Sequence, residues 1–293
     1  MGFVELKEIK ITNASGIYSS TFNSLEDWIN AGVDGVILKT STYRSREGYV
    51  FPNVAIDGER IIQAMGLPNP GFKKMGEITK KLKEKYTEIF VIASFTSGDK
   101  KELIEMVEYL GEYADALEYN ISCPHAKGLG SAIGYDFELL EDMCDVISEH
   151  TEKPFGLKMP YYPTDELLKK CIDSSEKADF YTNINSVGKA MLIGNDWGIS
   201  NKLGGLSGPA IKPLAMGQVY RTRKLTNKKI FGCGGVVTKK DVSEFLKAGA
   251  NSIQLGSGII HYKTKKDFVK EARKGFNYKP KNYFENQGIE EWE

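Results

Sequence analysis

The sequence predicts an α/β protein with the fold of a (β/α)8 barrel, a TIM barrel, formed as a single domain over residues 1–293. Three observations lead to this prediction. Eight short apolar, β-branched runs recur along the chain, helix-length amphipathic stretches follow most of them, and polar residues or glycines stand where the runs end. Eight strand-then-helix units are the number that closes such a barrel. An open doubly wound sheet is the alternative, but no G-x-G-x-x-G turn follows the first run.

The predicted strands and helices alternate from the N-terminus to the C-terminus. The strands are expected at 11–15, 35–39, 89–94, 116–122, 154–159, 180–186, 230–235 and 252–257. The helices are expected near 24–31, 73–86, 99–112, 136–150, 165–176, 212–225, 238–248 and 265–275. Asp136 has the position of a helix N-cap, as does Thr238, with Asp241 three residues later.

Two connections are too long to be tight turns. Residues 40–72 follow the second predicted strand, and residues 187–211 follow the sixth. Loops at the carboxyl ends of the strands form the active sites of barrel enzymes, and long loops often act as lids or substrate-binding segments. We therefore expect both segments to border a functional site.

Composition excludes several classes of protein. The chain has 39 basic and 39 acidic side chains, which argues against a nucleic-acid-binding protein with a strongly basic face. It has no run of about 18 apolar residues, so no membrane span is predicted. The N-terminus lacks the apolar segment of a secretory signal, and a cytoplasmic protein is expected.

The four cysteines do not form a metal-binding pattern. They are widely spaced and include no C-x-x-C pair, so no metal site is expected. Cys144 and Cys171 stand in helix-like apolar patterns that favour simple packing. No role is assigned to Cys233. Cys123 follows a predicted strand in a Ser-Cys-Pro turn, and this position makes it the cysteine for which a chemical role is expected.

Polar residues at the ends of the predicted strands indicate a site. Lysine, asparagine, serine and glycine are poor strand formers, yet they end otherwise apolar runs. In a barrel all of these ends meet at one rim. The last two strands end in G-C-G-G-V and L-G-S-G, and each is followed by a helix-like segment. Such glycines let backbone N–H groups approach an anion, so a phosphate-bearing ligand is expected there.

Several motifs together resemble one enzyme family. They include N-A-S-G (13–16), M-G-L-P-N-P-G-F (65–72), N-I-S-C-P-H (120–125), G-L-K-M-P (156–160) and G-G-L-S-G-P-A-I-K-P (204–213). In this order the sequence resembles the class 1 dihydroorotate dehydrogenases, which are FMN-binding (β/α)8 barrels. The strings F-G-C-G-G-V (231–236) and N-I-N-S-V-G (183–188) make class 1A the nearer subclass. The resemblance implies oxidation of dihydroorotate to orotate in pyrimidine biosynthesis.

The resemblance also assigns roles to individual residues. The FMN-binding residues that it implies are Ala14, Ser15, Gly16, Lys39, Asn120, Lys158, Asn185, Gly205, Gly234, Gly235, Gly256 and Ser257. The implied substrate-binding residues are Lys39, Gln63, Met65, Gly66, Leu67, Asn120, His125, Asn185 and Ser186. Cys123 matches the base that takes a proton from the substrate while a hydride passes to flavin N5, and Lys39 faces the substrate carboxylate.

Two positions depart from the family pattern, and they leave a second substrate open. Gln63 and His125 stand where the family usually has asparagine. The motif N-I-S-C-P-H is also similar to the pyrimidine-reducing barrel of dihydropyrimidine dehydrogenases, so uracil or thymine is the alternative substrate. A barrel that binds phosphate without flavin, acting as a lyase or isomerase, is a third interpretation.

The electron acceptor is not written in the sequence, which has neither a nicotinamide fingerprint nor a cysteine cluster. The resemblance leaves two possibilities: fumarate or another small acceptor, or a partner subunit that carries FAD and an iron–sulfur centre. The likeness to class 1A favours the small acceptor and implies a homodimer.

Overall fold

The computed structural model describes residues 5–122, 133–192 and 198–278. Within these ranges the strands are β1 (Ile11–Asn13), β2 (Gly35–Ile37), β3 (Val54–Asp57), β4 (Arg60–Gln63), β5 (Phe90–Phe95), β6 (Ala116–Asn120), β7 (Phe155–Lys158), β8 (Phe180–Asn183), β9 (Val187–Ala190), β10 (Gly204–Ser207), β11 (Lys229–Cys233) and β12 (Ser252–Leu255). Eight of them pair in parallel in the closed order β1-β12-β11-β8-β7-β6-β5-β2. This closed sheet confirms the predicted (β/α)8 barrel.

Eight α-helices of the described residues surround the barrel. They are α1 (Phe22–Ala31), α2 (Phe72–Lys85), α3 (Lys100–Tyr113), α4 (Phe137–His150), α5 (Asp165–Asp173), α6 (Lys212–Leu225), α7 (Lys239–Lys247) and α8 (Lys265–Lys274). The two predicted N-caps are confirmed. The Asp136 side chain accepts from the Leu139 N–H, and the Thr238 side chain accepts from the Asp241 N–H.

The two long connections carry regular structure that the sequence analysis did not predict. The connection after β2 contains β3 and β4, and the connection after β8 contains β9 and β10. These strands form one antiparallel sheet in the order β3-β4-β10-β9. Gly205 pairs with Gln63, and Leu206 pairs with Ile62. The two segments, which are far apart in sequence, are therefore held together by backbone hydrogen bonds at the carboxyl end of the barrel.

The inside of the barrel changes from apolar to polar along the strands. Near the strand starts, Phe180 and Phe231 pack edge to face with ring centroids 5.4 Å apart. Because strand side chains alternate between faces, the residues two positions later also point inward. These include Thr182 and, on β6, Glu118, which is bonded across the interior to Gln254 of β12. The polar layer therefore lies directly below the strand ends.

None of the helices in the described ranges is both long and apolar enough to cross a bilayer. Those ranges likewise contain no group of three or more histidine, cysteine or acidic side chains that could hold a metal ion.

Candidate active site

A cavity of about 310 Å³ opens at the carboxyl ends of the barrel strands, and the antiparallel sheet forms part of its wall. Its volume lies in the range of small-molecule sites. The cavity brings together every predicted site residue that falls within the described ranges: Ala14, Ser15, Gly16, Lys39, Gln63, Met65, Gly66, Leu67, Asn120, Lys158, Asn185, Ser186, Gly205, Gly234, Gly235, Gly256 and Ser257. Cys123 and His125 lie outside the described residues.

Two buried lysines line this cavity. Lys39 follows β2 and is 6% exposed, and its ammonium donates to the carbonyl of Gly16 at 3.1 Å. Lys158 ends β7 and is 4% exposed. Its Nζ donates to Gln254 Oε1 at 2.8 Å and to Cys233 Sγ at 3.1 Å. Buried ammonium groups are rare unless they are paired, so a cavity with two of them suits an anionic ligand.

Asparagine and hydroxyl side chains form a linked polar wall. Asn120 Nδ2 donates to Thr40 Oγ1 at 3.2 Å, and Asn120 Oδ1 accepts from Ser122 Oγ at 2.7 Å. Asn185 Nδ2 donates in turn to Ser122 Oγ, which joins the end of β6 to the end of β8. These bonds fix both amides in orientation. An amide presents a donor and an acceptor, which matches the alternating N–H and C=O edge of a pyrimidine ring.

Gln63 connects the antiparallel sheet to the barrel. Its Nε2 donates to Ser186 Oγ at 3.0 Å, and its Oε1 accepts from the Met65 N–H at 3.2 Å. Gly205 lies opposite, where a Cβ atom would come within 2.9 Å of the Ser186 side chain. Both ends of the Gln63 amide are therefore used by the protein, although Nε2 keeps a second hydrogen for a ligand.

The segment after β4 adopts an uncommon backbone at the cavity. Gly66 has φ of 74°, and Leu67, which has a side chain, has φ of 56°. The Arg46 guanidinium supports this turn through a hydrogen bond from Nε to the Gly66 carbonyl at 3.2 Å. Non-glycine residues held in this left-handed region cluster at functional sites.

The glycines of the rim serve two purposes. Gly235 has φ of 78°, and a Cβ there would lie 2.8 Å from the Gly208 carbonyl oxygen, so the backbone itself requires glycine. At Gly16 a Cβ would meet no protein atom within 4 Å, and at Gly256 it would meet only the Ala14 side chain, at 3.5 Å. Protein packing therefore leaves space beside Gly16 and Gly256, and both residues line the cavity.

An ion cluster holds the turn that follows Gly235. Asp241 Oδ2 accepts from the backbone N–H groups of Val237 at 3.0 Å and Thr238 at 2.7 Å, while Lys212 Nζ contacts Asp241 Oδ1 at 2.5 Å and Glu244 Oε2 at 2.9 Å. Burial alone would raise the pKa of Asp241, but the hydrogen bonds from Lys212, Thr238 and Val237 outweigh it and lower the pKa. The carboxylate is thereby kept charged where it anchors the glycine turn.

Sequence reasoning missed the polar residues inside the barrel. Glu118, Thr182 and Gln254 are almost completely buried, and they join Lys158 in one hydrogen-bonded group. A signal was present, because Glu118 interrupts the apolar run A-L-E-Y-N two residues before Asn120. Its inward position follows from strand alternation once β6 is placed.

Two of the described cysteines are buried among packing residues, as predicted, and the third lines the cavity. Burial raises the pKa of the Cys171 thiol to about 12 and raises that of Cys144 as well. Thiols of this kind are inert at neutral pH. Cys233, for which the sequence suggested no role, lines the cavity beside Lys158.

Comparison with known proteins gives a consistent result. The profile described as dihydroorotate dehydrogenase matches residues 5–275. The catalytic subunit of dihydroorotate dehydrogenase B (NAD(+)) from Thermoplasma volcanium is 36% identical over 265 residues, which is 88% of this chain and 86% of that protein. The protein of the same name from Pyrococcus abyssi is 37% identical and covers 87% of each chain.

A solved structure of dihydroorotate dehydrogenase from Eimeria tenella, in complex with ferulenol, superimposes with a TM-score of 0.78. It covers 95% of this chain and 82% of that one at 18% identity, which supports the fold alone. The relatives named above are of the B type, so they do not support the predicted nearness to class 1A. The extent of the profile match and the identity to these relatives show that this chain belongs to the dihydroorotate dehydrogenase family.

Proposed function

We propose that this chain is a dihydroorotate dehydrogenase, an FMN-dependent oxidoreductase that converts dihydroorotate to orotate in pyrimidine biosynthesis. The observation that carries the proposal is the single cavity that collects two buried lysines, two oriented asparagines and the rim glycines in a chain of this family. A phosphate-binding lyase or isomerase would not need the polar wall of amides opposite the glycine turns.

The residues of the cavity fit FMN. The glycine turns after β11 and β12 offer room and backbone N–H groups for a phosphate, and the space beside Gly16 and Gly256 can accept a flat ring system. Lys158, which is buried at the cavity, would supply a cation where negative charge develops near the ring. When bound, FMN would supply the acceptor for the hydride that leaves the substrate.

The chain's own residues bind and orient the substrate in this proposal. Lys39 would hold the carboxylate of dihydroorotate, because it is a buried ammonium at the cavity wall. Asn120, Asn185 and Ser186 would pair with the ring N–H and C=O groups, and Met65 to Leu67 would cover the ring. The antiparallel sheet of β3, β4, β10 and β9 would keep water from this end of the cavity.

Cys123 would take the proton from C5 of the substrate. It follows Ser122, the last described residue before it, which lines the cavity. A thiol with a pKa of about 8.5 is mostly protonated at neutral pH, so turnover should increase with pH up to that range. His125 is proposed as a further substrate contact, on the basis of the sequence.

For the electron acceptor we propose a partner subunit that carries FAD and an iron–sulfur centre and that passes electrons to NAD+. The names of the relatives support this choice, because they specify NAD(+) and a catalytic subunit. Direct reaction with fumarate is the alternative. We further propose that two copies of the chain pair in a cytoplasmic enzyme.

Anaerobic reduction of the bound flavin tests the proposal. Purified protein should be yellow, and dihydroorotate should bleach it much faster than dihydrouracil or dihydrothymine does. A protein that takes up no FMN would refute the proposed function. Faster bleaching by the uncharged dihydropyrimidines would instead favour uracil or thymine as the alternative substrate. The observation in favour of that alternative is that both ends of the Gln63 amide are hydrogen-bonded to protein groups.

The same sample distinguishes the two acceptors. After bleaching, fumarate should reoxidise the flavin slowly, and NAD+ should do so only when the partner subunit is present. Rapid reoxidation by fumarate in the isolated chain would overturn the proposed partner.

A further inference from the structure

A completely buried carboxylate lies inside the barrel, close to the candidate FMN cavity but outside its wall. Glu118 of β6 is 0% exposed and stands two residues before Asn120. Its Oε2 accepts from Thr182 Oγ1 at 3.0 Å and from Gln254 Nε2 at 2.9 Å. The Gln254 amide then reaches Lys158 Nζ with its oxygen, at 2.8 Å. The amide of Gln254 therefore separates the buried carboxylate of Glu118 from the buried ammonium of Lys158.

The hydrogen bonds leave the Gln254 amide a single orientation. Its Nε2 donates to Glu118 Oε2 and also to Thr182 Oγ1 at 3.0 Å, so both of its hydrogens are used. A reversed amide would place an oxygen against the carboxylate and an NH2 group against the ammonium, and both contacts would be repulsive. The carboxylate therefore decides that the Gln254 oxygen faces Lys158.

In these contacts Glu118 acts as a hydrogen-bond acceptor. Both bonds to Oε2 come from donors, and Oε1 has no hydrogen-bond partner among the described residues. A buried charge is unfavourable unless an opposite charge lies near, and within the barrel the ammonium of Lys158 meets that need through Gln254.

We propose that Glu118 is a positioning residue that, through Gln254, orients the ammonium of Lys158 and offsets part of its charge. The inference rests on the proposed binding of FMN beside Lys158. A reduced flavin carries more negative charge than an oxidised one, so the full charge of Lys158 would favour reduction. Glu118 would moderate that effect and so set the reduction potential of the bound flavin.

Replacement of Glu118 by glutamine separates charge from hydrogen bonding, because the new amide keeps an oxygen for Gln254 and Thr182. In Glu118→Gln the ratio of reduced to oxidised flavin, measured at a fixed solution potential, should rise about tenfold. For a two-electron couple this corresponds to a potential about 30 mV higher. A merely structural role would lower thermal stability without this shift. An unchanged or lower potential overturns the proposal.

Asp34→Asn is the matched control. This substitution also removes one negative charge. The Asp34 carboxylate, however, lies at the far end of the barrel, where it accepts from the Lys10 and Ile11 N–H groups at the start of β1. The control should keep the wild-type potential. An equal shift in both variants would show a general effect of net charge and would overturn the proposed action of Glu118 through Gln254.

Thr182→Val provides a second measurement if the glutamine variant does not fold. It removes one donor from the carboxylate and one acceptor from Gln254 Nε2, and it keeps the charge of Glu118. The negative field at Lys158 should therefore increase, and the reduced fraction should fall. A reduced fraction equal to or above that of the wild type counts against the proposal. Wild-type protein that takes up no FMN would refute the proposed function, whereas a loaded protein with unshifted potentials would refute only this inference.

Discussion

Replacement of Asp241 by asparagine should destabilise the protein through the ion cluster that anchors the glycine turn after β11. Asparagine keeps an oxygen for the N–H groups of Val237 and Thr238, so these bonds should survive. The atom that faces Lys212 then becomes an NH2 group, so the contact with the ammonium is lost, although Lys212 retains Glu244 at 2.9 Å. Breaking a buried ion pair costs about 3–5 kcal/mol when the remaining charge is left alone. With Glu244 present we expect about 2 kcal/mol.

Thermal unfolding followed by circular dichroism measures this loss. A change of about 2 kcal/mol should lower Tm by about 4 °C in a chain of this length. Asp267 supplies the control, because it occupies the same third position of α8 behind the N-cap Thr264 but is exposed. Asp267→Asn should cost about 0.5 kcal/mol, the usual contribution of an acid in the first helical turn. Equal losses in the two variants would refute the argument.

The pH dependence of the Tm difference between wild type and Asp241→Asn tests the same prediction independently. The pKa of Asp241 is lowered in the folded protein, so its contribution is complete above the unfolded value of about 3.9 and is lost as pH falls through the folded value. The difference in Tm between wild type and Asp241→Asn should therefore be constant near pH 7 and shrink below about pH 4. A difference that grows on acidification would contradict the assigned charge.

Three further substitutions test the proposed site. Cys123→Ser should keep the FMN absorption spectrum and slow substrate oxidation at pH 7 by about 100-fold or more, and unchanged turnover would remove Cys123 from the mechanism. Lys39→Met should raise KM for dihydroorotate about tenfold or more and affect an uncharged dihydropyrimidine much less, while the exposed Lys74→Met serves as control. Gly16→Val should leave Tm unchanged and weaken FMN binding at least about tenfold, because the new side chain meets no protein atom near its Cβ. Wild-type FMN affinity in this variant would place the flavin elsewhere.

The barrel could be predicted from the sequence because its signals are local. Most barrel strands lie in short apolar runs, and most helices carry their own amphipathic pattern and a capping side chain such as Thr238. Site residues such as Lys39 and Lys158 could also be predicted, because polar residues or glycines end all eight predicted strands, and in a barrel those ends meet at one rim. Their roles remain proposals, whereas their shared cavity is a feature of the fold.

The antiparallel sheet could not be predicted in the same way, because its strands depend on each other. The residues of β3 are mostly exposed, so no buried face marks that strand, and β10 contains two glycines and a serine, which are poor strand formers. Pairing of Gln63 with Gly205 requires that the carboxyl ends of β2 and β8 already be close, which only the closed barrel provides.

The polar group inside the barrel also depends on partners that are distant in sequence. Glu118 contacts Thr182 and Gln254, which are 64 and 136 residues away in sequence, and no local pattern announces such partners. A glutamate within an apolar strand nevertheless requires donors, because an unpaired buried carboxylate would oppose folding. The sequence therefore shows that a partner for Glu118 must exist, and barrel closure determines that this partner is the residue that holds Lys158.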